Sequence, residues 1–151
     1  TDPPEDGEAL VWDKALGQWV PKPMPAPGGG QKQSLATATT ALLPGERTVI
    51  EFQTAGGAGI LQKITASLPM WVVLYDSQEA LVADWDRVMS VDPQVDSGVI
   101  TELIGTEAGS WTVTPSPSYL LGDDNKIHGK VVSLHDTEAI FTTTLDIFAL
   151  G

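Results

Sequence analysis

The chain has 151 residues, of which 20 are acidic and 8 are basic, giving a formal net charge of −12. This charge argues against a nucleic-acid binder, because phosphate contacts need clustered Lys and Arg, and against docking on an anionic membrane. The chain contains no cysteine, which excludes disulfides, a thiolate nucleophile and a Cys-ligated zinc site. No apolar run approaches the roughly 20 residues that cross a bilayer, and the opening TDPPEDGEAL does not resemble a secretory signal.

Residues 1–34 are predicted to form an extended N-terminal arm. Two short apolar stretches within residues 8–20, separated by turn-forming residues, predict a small β-hairpin. Alternating prolines and then three glycines follow in residues 21–30, which predicts a linker with a stiff half and a flexible half. An ordinary long surface loop is the alternative.

A two-stranded hairpin is marginally stable on its own in water, so we expect the arm to need a surface to lie on. That surface belongs to the same chain's main domain, to a sister subunit or to another protein. The residues predicted to bind it are Leu10, Val11, Trp12, Trp19 and Val20.

Residues 35–151 are predicted to form one β-domain. Apolar and β-branched residues alternate in short runs separated by Gly, Pro, Asp and Ser. The run 70–75 is apolar on both faces, as in a central strand. Two runs carry a predicted inner face: Ile60, Ile64, Ala66 and Leu68 in one, and Phe141, Thr143, Leu145, Ile147 and Ala149 in the closing one. We predict an antiparallel, jelly-roll-like β-sandwich of roughly eight strands.

One short helix is predicted at about residues 77–87, between two strands. Asp76 followed three residues later by Glu79 has the form of a capping box. Apolar residues continue at helical spacing, and the helix is expected to end before Asp92 and Pro93.

The carboxylates and glycines do not form a catalytic pattern. Asp84 and Asp86 occupy neighbouring helical positions that point apart, and Arg87 is a natural ion partner for Asp84. The glycine-rich stretch 56–59 lacks the Lys-Ser/Thr of a phosphate loop and is predicted to be a β-hairpin loop. We therefore expect a non-enzymatic protein that needs no cofactor.

Two histidines, an oxygen-rich stretch and the tryptophans are the candidates for a metal site or a carbohydrate site. His128 and His135, seven residues apart, are a poor metal pair and are expected to be solvated residues at strand ends. The oxygen-rich stretch 123–125 lacks the spacing of a calcium loop, so an Asx-type turn is favoured over a calcium site. Five tryptophans leave glycan stacking open, although Trp71 is expected in the core.

Two stretches resemble virion proteins of tailed phages, including cyanophages. Residues 7–21 resemble a short motif of the form DG-x-hydrophobic-hydrophobic-x-(W/Y)-D … G-x-W-V-P, which often precedes a Gly- or Pro-rich linker. Residues 71–104 resemble a pattern found in small β-domains of phage tail and capsid appendage proteins, although Val73 stands where that family often has Arg. The resemblance implies a virion structural protein that is usually assembled as a homotrimer.

The position on the virion is predicted from the shortness of the chain. We find no shaft repeat and no coiled coil, so a capsid decoration (cement) protein on the outer surface, bound to the major capsid protein or another virion protein, is favoured. A tail fibre, knob or baseplate component that binds a host surface glycan is the alternative. Phe148 and Leu150 fall on the face opposite Leu145 and Ile147 and are predicted to form the trimer interface.

Overall fold

The computed structural model describes residues 8–13, 18–23 and 30–150, with side chains described over 30–150. The chain divides into two compact units, residues 1–30 and residues 31–151, whereas the sequence places the division after residue 34. The smaller unit contains the antiparallel strands β1 (Glu8–Asp13) and β2 (Gln18–Pro23), in the hairpin that the sequence predicts. Their register sets Trp12 opposite Trp19 and Val11 opposite Val20.

The remaining elements form two β-sheets and one helix. In chain order they are β3 (Gly30–Leu42), β4 (Arg47–Gln53), β5 (Ala58–Ala66), β6 (Met70–Tyr75), α1 (Gln78–Asp84), β7 (Val99–Gly105), β8 (Gly109–Thr112), β9 (Ser118–Leu120), β10 (Lys126–Ser133) and β11 (Ala139–Leu150). One sheet has the order β4-β10-β6-β7, and the other has the order β3-β11-β5-β8 with β9 also paired to β5.

Strands that follow one another in the chain mostly lie in opposite sheets. The chain passes from β3 to β4, β5 and β6 by changing sheet at each step, and it changes sheet again from β10 to β11. This connectivity, with the row β4-β10-β6-β7 of one sheet facing the row β3-β11-β5-β8 of the other, is that of a jelly roll. The predicted antiparallel sandwich with one short helix is confirmed.

The main core lies between the two sheets, where one face of each is apolar. The four-stranded sheet contributes residues such as Phe52, Val72, Leu74, Ile127 and Val131, all buried. The closing strand β11 contributes Phe141, Thr143, Leu145, Ile147 and Ala149, which are buried while their neighbours are not. The inner face predicted for the closing run is therefore confirmed.

A second, smaller core lies on the other side of the four-stranded sheet. There α1 and Trp85 cover Trp71, Val73 and Tyr75 of β6. All six residues of β6 are buried, because this strand has apolar neighbours on both faces. Its prediction as a central strand, with Trp71 in the core, is confirmed.

The inner face predicted for β5 is wrong at Ile60. Gly59, Leu61, Ile64 and Ala66 are buried in this strand, and Ile60 is only half-buried. The pairing with β11 shifts register between Asp146 and Ile147, which leaves Gln62 as an extra residue in β5. Such a β-bulge moves the side chains before it to the opposite face, and sequence periodicity does not reveal it.

The glycine-rich stretch 56–59 does not form the predicted hairpin loop. It joins β4 to β5, which lie in different sheets, so it carries the chain across the sandwich. The prediction failed because a glycine-rich turn between two strands favours a sharp reversal without specifying which strands pair.

The predicted helix is longer than the observed one and has a different N-cap. Ser77, rather than Asp76, caps α1, since its Oγ accepts a hydrogen bond from the Ala80 amide at 3.1 Å. Where the helix ends at Asp84, the carbonyl oxygens of Asp84, Trp85 and Arg87 accept hydrogen bonds from the ammonium of Lys130, at 2.9, 3.3 and 3.3 Å, and Arg47 also donates to the Trp85 carbonyl. The last carbonyls of a helix lack partners within it, and these two cations supply donors there.

Candidate interaction surface

The outer face of the five-stranded sheet is the candidate site. We define it as the side of β3, β5, β8, β9 and β11 that points away from the main core. It contains Phe148 and Leu150, the two residues predicted to form an interface. Leu150 is 45% exposed and Phe148 is half-buried, and both alternate with the buried residues of β11.

Strand register places two further apolar residues beside them. Ile60 is directly opposite Phe148. Leu120 is opposite Ala58 on the other side of β5, one residue beyond the pair formed by Gly59 and Ala149. We call Ile60, Leu120, Phe148 and Leu150 the apolar end of the outer face. Leu120 is 76% exposed and is the most exposed member.

The centre of the outer face is polar but largely uncharged. Thr65 lies opposite Thr144 on one side and opposite Ser110 on the other, where the two hydroxyl oxygens are 2.7 Å apart. Lys63 and Asp146 are cross-strand neighbours of opposite charge. Hydroxyl side chains in this arrangement make a flat surface with little charge to desolvate.

The opposite side of the sandwich holds a buried ionic cluster. Asp84 accepts hydrogen bonds from Arg87 at 2.8 Å and from Tyr75 at 2.6 Å. Arg87 also donates to Glu102, which accepts a further bond from the Trp71 indole. The predicted pair of Asp84 with Arg87 is therefore confirmed, as part of a network that fixes the chain after α1 to β6 and β7.

The pKa values in this cluster follow from burial and from the network. Burial lowers the pKa of Lys130 to about 8, although the nearby Asp84 carboxylate opposes this effect. Burial also raises the pKa of Tyr75, and its hydrogen bond to Asp84 adds to the rise. Burial opposes ionisation of Asp84, but hydrogen bonds from Arg87 and Tyr75 outweigh it and lower the pKa of that carboxyl.

The charged groups of this cluster are paired with one another. A cleft of about 370 Å³ lies between α1 and the following loop, with Asp84 and Arg87 in its wall. Both side chains are about one-tenth exposed or less and are paired with each other. Lys130 is fully buried, and its ammonium also lies 4.5 Å from the Trp71 ring centre. Each of these groups holds the segment after α1 in place.

His128 is not the solvated strand-end residue that the sequence predicts. Strand β10 begins at Lys126, so His128 lies inside it, between Glu51 of β4 and Tyr75 of β6. It is 4% exposed, and its Nε2 lies 2.8 Å from Asp124 Oδ2. This contact is the main cause of a lowered pKa of Asp124.

The stretch 123–125 forms the predicted Asx-type turn, in which Asp124 Oδ1 accepts a hydrogen bond from the Lys126 amide at 3.1 Å. Over the described residues, no group of three His, Asp or Glu side chains is placed to hold a metal ion. His128 and His135 contact different aspartates, Asp124 and Asp136 respectively.

The aromatic residues of the larger unit do not form a sugar platform. Within residues 30–150 every aromatic side chain is buried or half-buried. Trp111 packs against the main core and Trp85 against the smaller one. The side chains of the arm residues Leu10, Val11, Trp12, Trp19 and Val20 lie outside those described. No helix of the described segments is long and apolar enough to span a bilayer.

Leu120 and Ile60 are the surface residues that sequence reasoning missed. The Ser-Tyr-Leu stretch of β9 is too short for its alternation to be read, and the bulge in β5 hides the orientation of Ile60. Knowledge that β9 pairs with β5 would have placed both residues on the outer face.

No protein-family model matches the chain, and no curated protein sequence matches it. Among solved structures it is similar to a de novo designed double-stranded β-helix, determined by solution NMR, over 77% of this chain and 97% of that chain, with 12% identity and a TM-score of 0.31. The assignment of the jelly roll rests on the strand order described above.

Proposed function

We propose that the chain is a non-enzymatic structural protein of a phage virion, a homotrimeric capsid decoration protein attached by its N-terminal arm. The observation that carries the proposal is the division of the chain into a jelly roll with its own core and a separate two-stranded hairpin unit. A two-stranded hairpin gains too little from its own contacts to be stable in water. A partner surface that covers the hairpin removes this difficulty.

The energetics of the arm favour attachment through several copies. Burying two Trp side chains of roughly 150–250 Å² each, at about 25 cal/mol per Å², contributes on the order of 8–12 kcal/mol. Ordering the arm costs about 1 kcal/mol or more for each residue, which over residues 8–21 is as large as this gain. One arm therefore binds weakly, and three arms on one trimer bind firmly through their effective concentration.

The charge distribution supports an exposed position on the particle. A chain with a net charge of −12 repels DNA and other acidic surfaces, so it resists non-specific association. The trimer is proposed to form through Phe148 and Leu150. A tail fibre, knob or baseplate component remains the alternative location.

Reconstitution on particles tests the proposal. Particles that lack this protein are incubated with the full chain, with a chain lacking residues 1–30, and with a double variant Trp12→Ala, Trp19→Ala. We expect the full chain to bind heads, and both altered proteins to bind at least tenfold more weakly while keeping the β-type circular dichroism spectrum of the jelly roll. Lys22→Ala, in the arm but outside the predicted contact residues, is the matched control.

Two results would contradict the proposal. Full occupancy by the chain lacking residues 1–30 would show that the arm is not the anchor. Mass spectrometry of separated heads and tails that finds the protein only with tails would favour the alternative location.

A further inference from the structure

We propose that copies of this chain contact one another through the whole outer face of the five-stranded sheet, with Leu120 and Ile60 as well as Phe148 and Leu150 in the contact. The inference rests on the homotrimer of the proposed function and names its surface. Charge, apolar content and area all favour a second copy of this chain as the partner that covers this face.

Charge distinguishes the two outer sides of the sandwich. The five strands β3, β5, β8, β9 and β11 contain three charged residues, Lys32, Lys63 and Asp146, with a formal sum of +1. The strands of the other sheet also sum to +1, but the segment 76–98, whose helix α1 covers the outer side of β6, contains six acidic residues and one basic residue. A surface that another copy approaches must avoid acidic groups, because the partner carries the same acidic charge.

The apolar end supplies the favourable contribution. Leu120 of β9 meets Phe148 and Leu150 of β11 at one end of the sheet, around Ile60 and Ala58 of β5. An exposed cluster of apolar side chains on a sheet face that is otherwise hydroxyl-rich is typical of an interaction surface. By contrast, the exposed Val91 and Val95 of the loop after α1 are each followed directly by an acidic residue, Asp92 and Asp96.

The size of the face suits a stable protein contact. The five strands contain 41 residues, which at about 3.3 Å along a strand and about 4.8 Å between strands make a face of about 650 Å². Stable interfaces bury about 600–1,000 Å² on each partner. In the other sheet α1 and Trp85 cover the outer side of the central strand β6, which separates the exposed Val49 of β4 from the exposed Ile104 of β7.

Sedimentation of matched variants tests the inference. Full-length wild type, Leu120→Asp and Val95→Asp are compared by sedimentation velocity from about 1 to 100 µM in moderate salt. Both substitutions add one negative charge at a well-exposed residue, since Leu120 is 76% and Val95 is 91% exposed, but the two lie on opposite sides of the sandwich. Leu150→Asp serves as a second variant of the outer face.

We expect wild type and Val95→Asp to sediment as the same oligomer, and Leu120→Asp and Leu150→Asp to dissociate at least tenfold more readily. A monomeric wild type, an unaffected Leu120→Asp and Leu150→Asp, or equal dissociation by Val95→Asp would overturn the inference. A dimer that Leu120→Asp dissociates would support this surface while contradicting the trimer. A protein missing from purified heads would contradict the proposed function without affecting the sedimentation result.

Discussion

Lys130 shows how a single buried charge sets local structure. Its ammonium is fully buried and donates to the carbonyls of Asp84, Trp85 and Arg87 at the end of α1. The sequence places Lys130 at the start of a strand, where lysine is ordinarily exposed. Nothing in the local pattern indicates that a loop 45 residues earlier folds over it.

The depressed pKa of Lys130 predicts how stability depends on pH. In the unfolded chain this group keeps its proton to about pH 10.5, and in the folded protein it loses the proton near pH 8. Between these values the unfolded chain holds more protons, so the contribution of Lys130 to the free energy of unfolding increases as the pH rises.

The measurement is denaturant unfolding of wild type and Lys130→Met from pH 5 to 9.5. We expect the difference in unfolding free energy between wild type and variant to be constant up to about pH 7 and then to shift in favour of wild type. A difference that stays flat through pH 9.5 would mean that Lys130 keeps its proton in the folded protein.

The strand β5 shows why an element's existence is easier to predict than its orientation. Its apolar content identifies it as a strand, but the bulge at Gln62 reverses the faces of the residues before it. In the same way, the apolar spacing of α1 is visible in sequence, whereas its N-cap is Ser77 rather than the predicted Asp76 and the carbonyls at its end bind Lys130 of a distant strand. The closing strand β11, which has no extra residue, is predicted with the correct face.

Gly59 lies where neighbouring strands approach closely, so we expect an added side chain there to lower stability. A Cβ at this position would lie against the Tyr119 hydroxyl and 2.7 Å from the Phe148 carbonyl oxygen. Since Tyr119 is opposite Gly59 in the register, neither strand moves aside without breaking the pair. We expect Gly59→Ala to lower the free energy of unfolding by about 1–3 kcal/mol.

Gly122→Ala is the control for Gly59→Ala, because no atom lies within 4 Å of a Cβ at residue 122. Urea denaturation of both variants checks the prediction. Equal stability of the two would show that the sheet relaxes around the added methyl group.

At the scale of the whole molecule, charge is divided between the two sides of the sandwich. The sequence predicts the sandwich, its acidic character and two of the outer-face residues, Phe148 and Leu150. It does not reveal that the helix of the acidic segment 76–98 covers one sheet and not the other, because that separation depends on which strands share a sheet. Ile60 and Leu120 become neighbours of Phe148 and Leu150 only through strand pairing.

This separation predicts how self-association responds to salt. Three copies with the same acidic charge repel one another, and salt screens that repulsion over about 10 Å at 0.1 M ionic strength. The contacting faces carry few ion pairs for salt to weaken. We expect the dissociation constant from sedimentation to fall by several fold when NaCl is raised from about 20 mM to 500 mM. A rise would indicate an interface held by ion pairs.

The alternation of successive strands between the two sheets constrains the order of events during biosynthesis. Strand β4 pairs only with β10 in its sheet, and β11 lies in the interior of the other sheet between β3 and β5. A nascent chain that has emerged from the ribosome as far as β9 still lacks one interior strand of each sheet, β10 in one and β11 in the other. Stable pairing of both layers therefore waits until residue 150 is free, so the jelly roll forms late and from contacts distant in sequence, which is characteristic of slow folding.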